Sequence, residues 1–243
     1  MAGAPHPFLD ALRASGRGAV IAEIKRTDPE GNDLTGGRAP GTIARDYVRG
    51  GAACLSVVTG RWFGGSPALL AEVAQEAQGL PILRKDFLVS RAALAETRDL
   101  GAAAALITVA LVGPGRTAAL IEAALAFGLT PFVEIANAAE AREIPCDLPL
   151  AIAVNNSDIA TRERAGTGPA RSLALFEAVA ARRPAATVAA SRITDARTAA
   201  ALVAAGFDAL LIGSALMRRP ALLGEIRALC GPTQARPRAA QEI

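Results

Sequence analysis

Glu23 and Lys25 stand two residues apart where the apolar run AVIAEI gives out, and on an extended backbone that spacing puts both side chains on one face. The same design recurs along the chain. PILRK ends in Lys85, TPFVEI carries Glu134, LAIAVN ends in Asn155, ATVAAS leads into Ser191 and Arg192, and ALLIGS ends in Gly213 and Ser214. Singly, each has an ordinary reading: Arg84, Lys85 and Asp86 as a solvated charge cluster, Glu134 as a helix-capping carboxylate. Together they are harder to dismiss. Two lysines, two glutamates and an asparagine at the same end of apolar strands would share one mouth, and charges gathered there need partners or a ligand. Lysine and glutamate in one closed space are the pair that proton transfer requires. The Gly213–Ser214 turn, with Ser191 and Arg192 beside it, offers backbone N–H groups to an anion such as a phosphate.

Eight short apolar runs must position these residues: 19–24, 53–59, 81–85, 104–110, 130–135, 150–155, 186–191 and 209–214. They are rich in Val, Ile and Leu without strict alternation, the pattern of strands buried on both faces. Between them lie stretches with helical spacing. SRAALAETRDLGA opens on Ser90 and stops at a glycine, TAALIEAALAFG starts at Thr117, and TDARTAAALVAAG starts at Thr194–Asp195 with an acidic first turn. Further helices are expected over 40–49, 66–78, 168–182 and 218–229. Alternating strands and helices with no linker predict a single (β/α)8 TIM barrel over residues 1–230, with 231–243 a flexible polar tail. A doubly wound open sheet is the alternative and would need fewer units or a second domain.

The chain has 243 residues, 51% hydrophobic and 20% charged, enough apolar material for a large core. A net charge of +3, with no basic run interleaved with aromatics, argues against nucleic acid as partner. The one histidine, His6, leaves little room for Ser-His catalysis or a multi-histidine zinc site. Three scattered cysteines, Cys54, Cys146 and Cys230, read as reduced thiols of a cytoplasmic protein. No apolar run reaches the roughly 18 residues of a membrane span, and the first residues do not read as a signal peptide. The expected partner is a small phosphorylated molecule, bound by a monomer or homodimer.

The segments VIAEIKRTDPEG, LSVVTGRWFGGS, LPILRKDFLV, FVEIANAAEA, AVNNSDI and GFDALLIGSALMRRP resemble the indole-3-glycerol-phosphate synthase family, from about Ala19 to Pro220. The resemblance implies a ribulose-phosphate-binding type of (β/α)8 barrel. It implies a lyase of tryptophan biosynthesis that converts a carboxyphenylamino-deoxyribulose phosphate to indole glycerol phosphate, CO₂ and water without metal or cofactor. It further implies roles: Lys85 as general acid on the substrate carbonyl, Glu134 as base in the dehydration, and Lys25 as a bridge between carboxylate and phosphate ends. Glu23 would hold a lysine and the developing charge, Asn155 would orient hydroxyls, and Ser191, Arg192, Gly213 and Ser214 would hold the phosphate. Phe63 and Phe87 could pack on the substrate ring or simply serve the core.

Four positions depart from the family pattern: Asp28 stands for a serine, Ser157 for an arginine, Ala190 for a glutamate and Arg192 for a glycine. Their charges cancel, which predicts a rewired rather than a decayed pocket, with Arg192 meeting an anion and Asp28 or Glu23 as its partner. The N-terminal helix expected over the mouth is short. Two further readings stay open: a divergent enzyme acting on a related sugar-phosphate arylamine in specialised metabolism, and a non-catalytic barrel that binds a phosphorylated ligand.

Overall fold

The computed structural model describes residues 6–158 and 166–231. The tail expected to be flexible falls, but for Gly231, outside the described residues. Eight parallel strands close into a barrel in sequence order: β1 (Ala19–Ile24), β2 (Cys54–Val58), β3 (Ile82–Lys85), β4 (Ala104–Thr108), β5 (Thr130–Ile135), β6 (Ala151–Asn155), β7 (Ala186–Ala190) and β8 (Ala209–Ile212), with β8 pairing back to β1. Each strand is buried along its whole length, because its outward side chains meet helices and its inward ones meet each other.

The helices are α1 (Pro7–Ser15), α2 (Pro40–Gly50), α3 (Pro67–Glu76), α4 (Arg91–Asp99), α5 (Val109–Val112), α6 (Pro114–Ala126), α7 (Ala138–Arg142), α8 (Pro169–Ala180), α9 (Ala196–Ala205), α10 (Ser214–Arg218) and α11 (Leu222–Cys230). Side chains cap several starts, as expected of Ser, Asn and Asp. Ser66 accepts from Leu69 N, Ser90 from Ala93 N, and Asn137 from Glu140 N.

Three helix starts differ from the sequence expectation. Pro114 begins α6 three residues before Thr117, because proline is pre-set for the first helical position; the Thr117 hydroxyl donates to Gly113 O inside the first turn instead of capping. Asp195 is itself the cap of α9 and accepts from Thr198 N, so its charge lies just outside the first turn. The stretch expected as one helix from 218 is split: α10 ends at Arg218, and Pro220 holds Arg219 out of the helical region before α11 begins. Between β5 and β6, where the sequence marks no helix, the Asn137–Glu140 pair caps the start of the short helix α7, with Glu140 accepting from Ala136 N and from the Asn137 amide.

Alternation along the strands sorts the lumen into levels. Ala19, Cys54, Ala104, Ala151, Ala186 and Ala209 face inward at the N-terminal end, with Ile21, Leu83, Leu106, Phe132, Val188 and Leu211 above them. The next inward positions are Glu23, Lys85, Thr108, Glu134 and Asn155. The helix α1 corrects one expectation. It closes the N-terminal end of the barrel, opposite the mouth: Phe8, Leu9 and Leu12 are buried among the small first residues of the strands. The Phe8 ring meets Phe132 edge-on at 6.1 Å, and the Cys54 thiol donates to Phe8 O. Alanines at that end leave the space this apolar face fills.

Candidate active site

Glu23 is the hub of the mouth. Its Oε1 lies 3.5 Å from Lys25 Nζ and its Oε2 3.7 Å from Lys85 Nζ. Lys85 comes from β3, so the second contact spans the lumen past β2. All three side chains are buried, a costly state for charges that pairing makes tenable. Gly213 makes room for the hub. A Cβ at that position would lie 2.2 Å from Glu23 Oε1, so a residue with any side chain would displace the carboxylate. Lys25 also has its ammonium 5.5 Å from the centre of the Phe63 ring, an electrostatically favourable seat. Phe63 is therefore a buried aromatic that backs a site lysine.

Glu134 stands across the lumen, buried and registered between Thr108 of β4 and Ala153 of β6. Asn155, fully buried at the end of β6, accepts from Ser157 N through Oδ1. Its Nδ2 has no hydrogen-bond partner among the described residues, nor do the hydroxyls of Ser56 and Thr108 in the same lumen. Buried donors of this kind call for a ligand or water. The following Asn156 is structural: its Oδ1 accepts from Ser172 N and Oγ, and its Nδ2 donates to Ser191 O, fixing the turn after β7.

A cavity of about 290 Å³ opens beside this cluster. Of the sequence-predicted residues, Glu23, Lys25, Ser191, Arg192, Gly213 and Ser214 line it. Lys85, Glu134, Asn155 and Phe63 do not line that hollow; Lys85 reaches it through Glu23. Ser191 and Arg192 adopt φ of +68° and +55°, the left-handed region that favours glycine, and non-glycine residues there cost about 1–2 kcal/mol each. The turn thus keeps a glycine-like conformation although an arginine occupies it. The Arg192 side chain lies against Gly166, where an added Cβ would fall 2.7 Å from Nε and 2.9 Å from Ser157 Cα. Strand 3 divides its charges: Lys85 faces the lumen, while Arg84 donates outward to Glu96, Thr97 and Thr59. They are not a solvated cluster; both are buried.

The expectation that Arg192 would pair with Asp28 or Glu23 is corrected in part. The guanidinium bonded to Asp28 is that of Arg218, 2.7 Å away, and Glu23 pairs with the two lysines. Asn32 donates its amide and backbone N–H to Asp28, and this, with the Glu30 N–H and the Arg218 charge, holds the Asp28 carboxyl below its ordinary range against burial. Arg218 is the site residue that sequence reasoning missed. Its only signal was a basic residue four positions beyond the Gly-Ser turn, and such residues are usually solvated. At the rim, Trp62 stacks on Phe87 with ring centres 4.8 Å apart, and both rings are exposed. Among the described residues no group of His, Cys, Asp and Glu is arranged to hold a metal, and no helix is long and apolar enough to cross a membrane.

A family profile described as indole-3-glycerol phosphate synthase matches residues 2–229. Indole-3-glycerol phosphate synthase 2 of Streptomyces coelicolor is 42% identical over 224 residues, covering 87% of this chain and 80% of that protein. The indole-3-glycerol phosphate synthase of Acidithiobacillus ferrooxidans is 38% identical over 219 residues, covering 88% and 81%. That of Aromatoleum aromaticum is 37% identical over 233 residues, covering 94% and 86%.

Proposed function

The chain belongs to the indole-3-glycerol phosphate synthase family, and we propose from that premise that its barrel mouth carries out the decarboxylating ring closure of tryptophan biosynthesis. The substrate is 1-(2-carboxyphenylamino)-1-deoxyribulose 5-phosphate. Ring closure forms a bond between the carboxylate-bearing ring carbon and the sugar's carbonyl carbon, and the carbonyl oxygen must gain a proton as it does so. Lys85 gives that proton, and Glu23, its ion-pair partner, holds the ammonium in place. Loss of CO₂ then restores the aromatic ring. The new hydroxyl takes up a second proton, drawn from solvent, and leaves as water while Glu134, across the lumen, takes the proton released in forming the indole. Glu23 and Glu134 place negative charge near the cationic intermediate, where it lowers the barrel's own barrier to its formation.

Lys25 sits between the chemistry and the phosphate end, since it touches Glu23 and also lines the cavity. Asn155 turns its Nδ2 to a substrate hydroxyl, which would satisfy a buried donor. The phosphate rests on the turns of Ser191–Arg192 and Gly213–Ser214, and Phe63 supports the aromatic end by backing Lys25. Arg192 supplies a cation at the rim. The reading needs no metal or cofactor. Its observation of greatest weight is the Glu23 carboxylate held between lysines from two strands, immediately beside a glycine turn that lines a hollow. Three cysteines without disulfides suit a cytoplasmic setting.

The test is direct. Purified protein given the carboxyphenylamino substrate releases CO₂ and develops indole fluorescence, and Lys85→Ala abolishes both while the fold persists. Full turnover by the Lys85 variant would overturn the assignment.

A further inference from the structure

The loop between β1 and α2 leaves the barrel carrying Lys25, and it is tied to the far end of the chain twice. Asp28 Oδ2 accepts from Arg218 Nη2 at 2.7 Å, and Arg38 Nη2 donates to the carbonyl of Met217 at 2.7 Å. Both anchors are the last residues of α10, the short helix that Ser214 begins. The loop is internally braced at the same place: Asp28 accepts from Glu30 N and Asn32 N, and Thr27 bridges Asp33. Asp28 is only 3% exposed and lines the 290 Å³ cavity together with Arg218. A buried carboxylate in a hollow that is to receive a phosphate is a repulsive element unless a cation cancels it. Arg218 is that cation.

We propose that Arg218 is a positioning residue for the anionic end of the substrate: it neutralises Asp28 and straps the Lys25 loop to the Ser214 turn, and so sets how tightly the phosphate is held. The proposal rests on the phosphate placement argued above and adds a residue to it. It separates two ways in which an arginine at an anion site can act. Were Arg218 a direct phosphate ligand, removing it would weaken binding whatever stood at position 28. As a neutralising strap, its loss does damage chiefly because Asp28 remains.

The experiment compares Arg218→Ala, Arg218→Lys, Asp28→Ser and the Asp28→Ser/Arg218→Ala double variant. Inorganic phosphate is titrated against each by phosphorus NMR, and KM and kcat are measured on the full chain. Truncating one partner of a buried charge pair is strongly disruptive, and discounting for the half-exposed Arg218 leaves roughly a tenfold effect. Arg218→Ala should raise KM and the phosphate Kd about tenfold with kcat within about twofold, and amide exchange over residues 26–38 should quicken. The double variant should recover to within about threefold of the wild type, and lysine should rescue in part. Unchanged KM in Arg218→Ala, or a double variant as weak as the single one, overturns the proposal. If Arg218→Ala does not fold, the double variant against Asp28→Ser carries the test, equal affinities supporting the strap and a tenfold gap refuting it. Phosphate titration works without turnover, so a wild type that binds phosphate but makes no indole product would refute the assigned reaction and leave the strap standing.

Discussion

Replacing Gly213 by alanine tests the geometry of the hub with a single methyl group. The added carbon would lie 2.2 Å from Glu23 Oε1 and 3.0 Å from Cδ, where side-chain carbons are not found closer than about 3.0 Å to any heavy atom. Relief demands a movement of about 1 Å, and the carboxylate is the part that can move. Glu23 holds Lys25 at 3.5 Å and Lys85 at 3.7 Å, so that movement withdraws the anchor of the proton donor. A misplacement of about 1 Å costs on the order of 100-fold in rate, or about 2.7 kcal/mol of transition-state stabilisation. The overpacking itself costs about 1–3 kcal/mol of stability. The assay is kcat/KM from indole fluorescence, alongside urea unfolding of the same sample. Gly224→Ala is the control: it lies in α11 with nothing within 4 Å of the new carbon, and it should gain about 0.5–1 kcal/mol with full activity. A folded Gly213→Ala enzyme with wild-type kcat/KM would show that Glu23 is not pinned as described, and the reasoning for the hub would fail with it.

Two further outcomes follow from other parts of the molecule. Arg192→Ala should weaken binding of a non-cyclising substrate analogue that keeps both phosphate and carboxylate, by about tenfold for one charge-assisted contact at a solvent-facing rim; unchanged affinity by calorimetry would remove Arg192 from the site. Phe8→Ala should cost about 3–5 kcal/mol in denaturant unfolding, since it empties the plug against Phe132, yet leave kcat intact because the mouth is at the opposite end. Loss of kcat without loss of stability would contradict that placement of α1.

Much of this architecture is written locally. The strand AVIAEI occupies residues 19–24 and TPFVEI residues 130–135, as their apolar runs predict, because both faces of each are buried and the run length is the strand length. Period-two alternation then places Glu23, Lys85, Glu134 and Asn155 on inward faces at one end, a consequence any eight-stranded closure would share. Helix starts were less legible, as at Pro114 and Pro220, because a proline's effect depends on which turn it opens or closes.

What only the folded chain decided are the pairings between distant positions. That Asp28 binds Arg218, 190 residues away, follows from β8 closing beside β1 and carrying α10 over the first loop. That α1 fills the end opposite the mouth follows from a floor of alanines contributed by several strands, visible only once the barrel is closed. The left-handed turn at Ser191 and Arg192 is likewise set by its neighbours, Asn156 among them, and not by residue preference. Periodicity is a property of neighbouring residues and can be read along the chain; charge pairing and cavity filling are properties of proximity, which exists only after the ends have met.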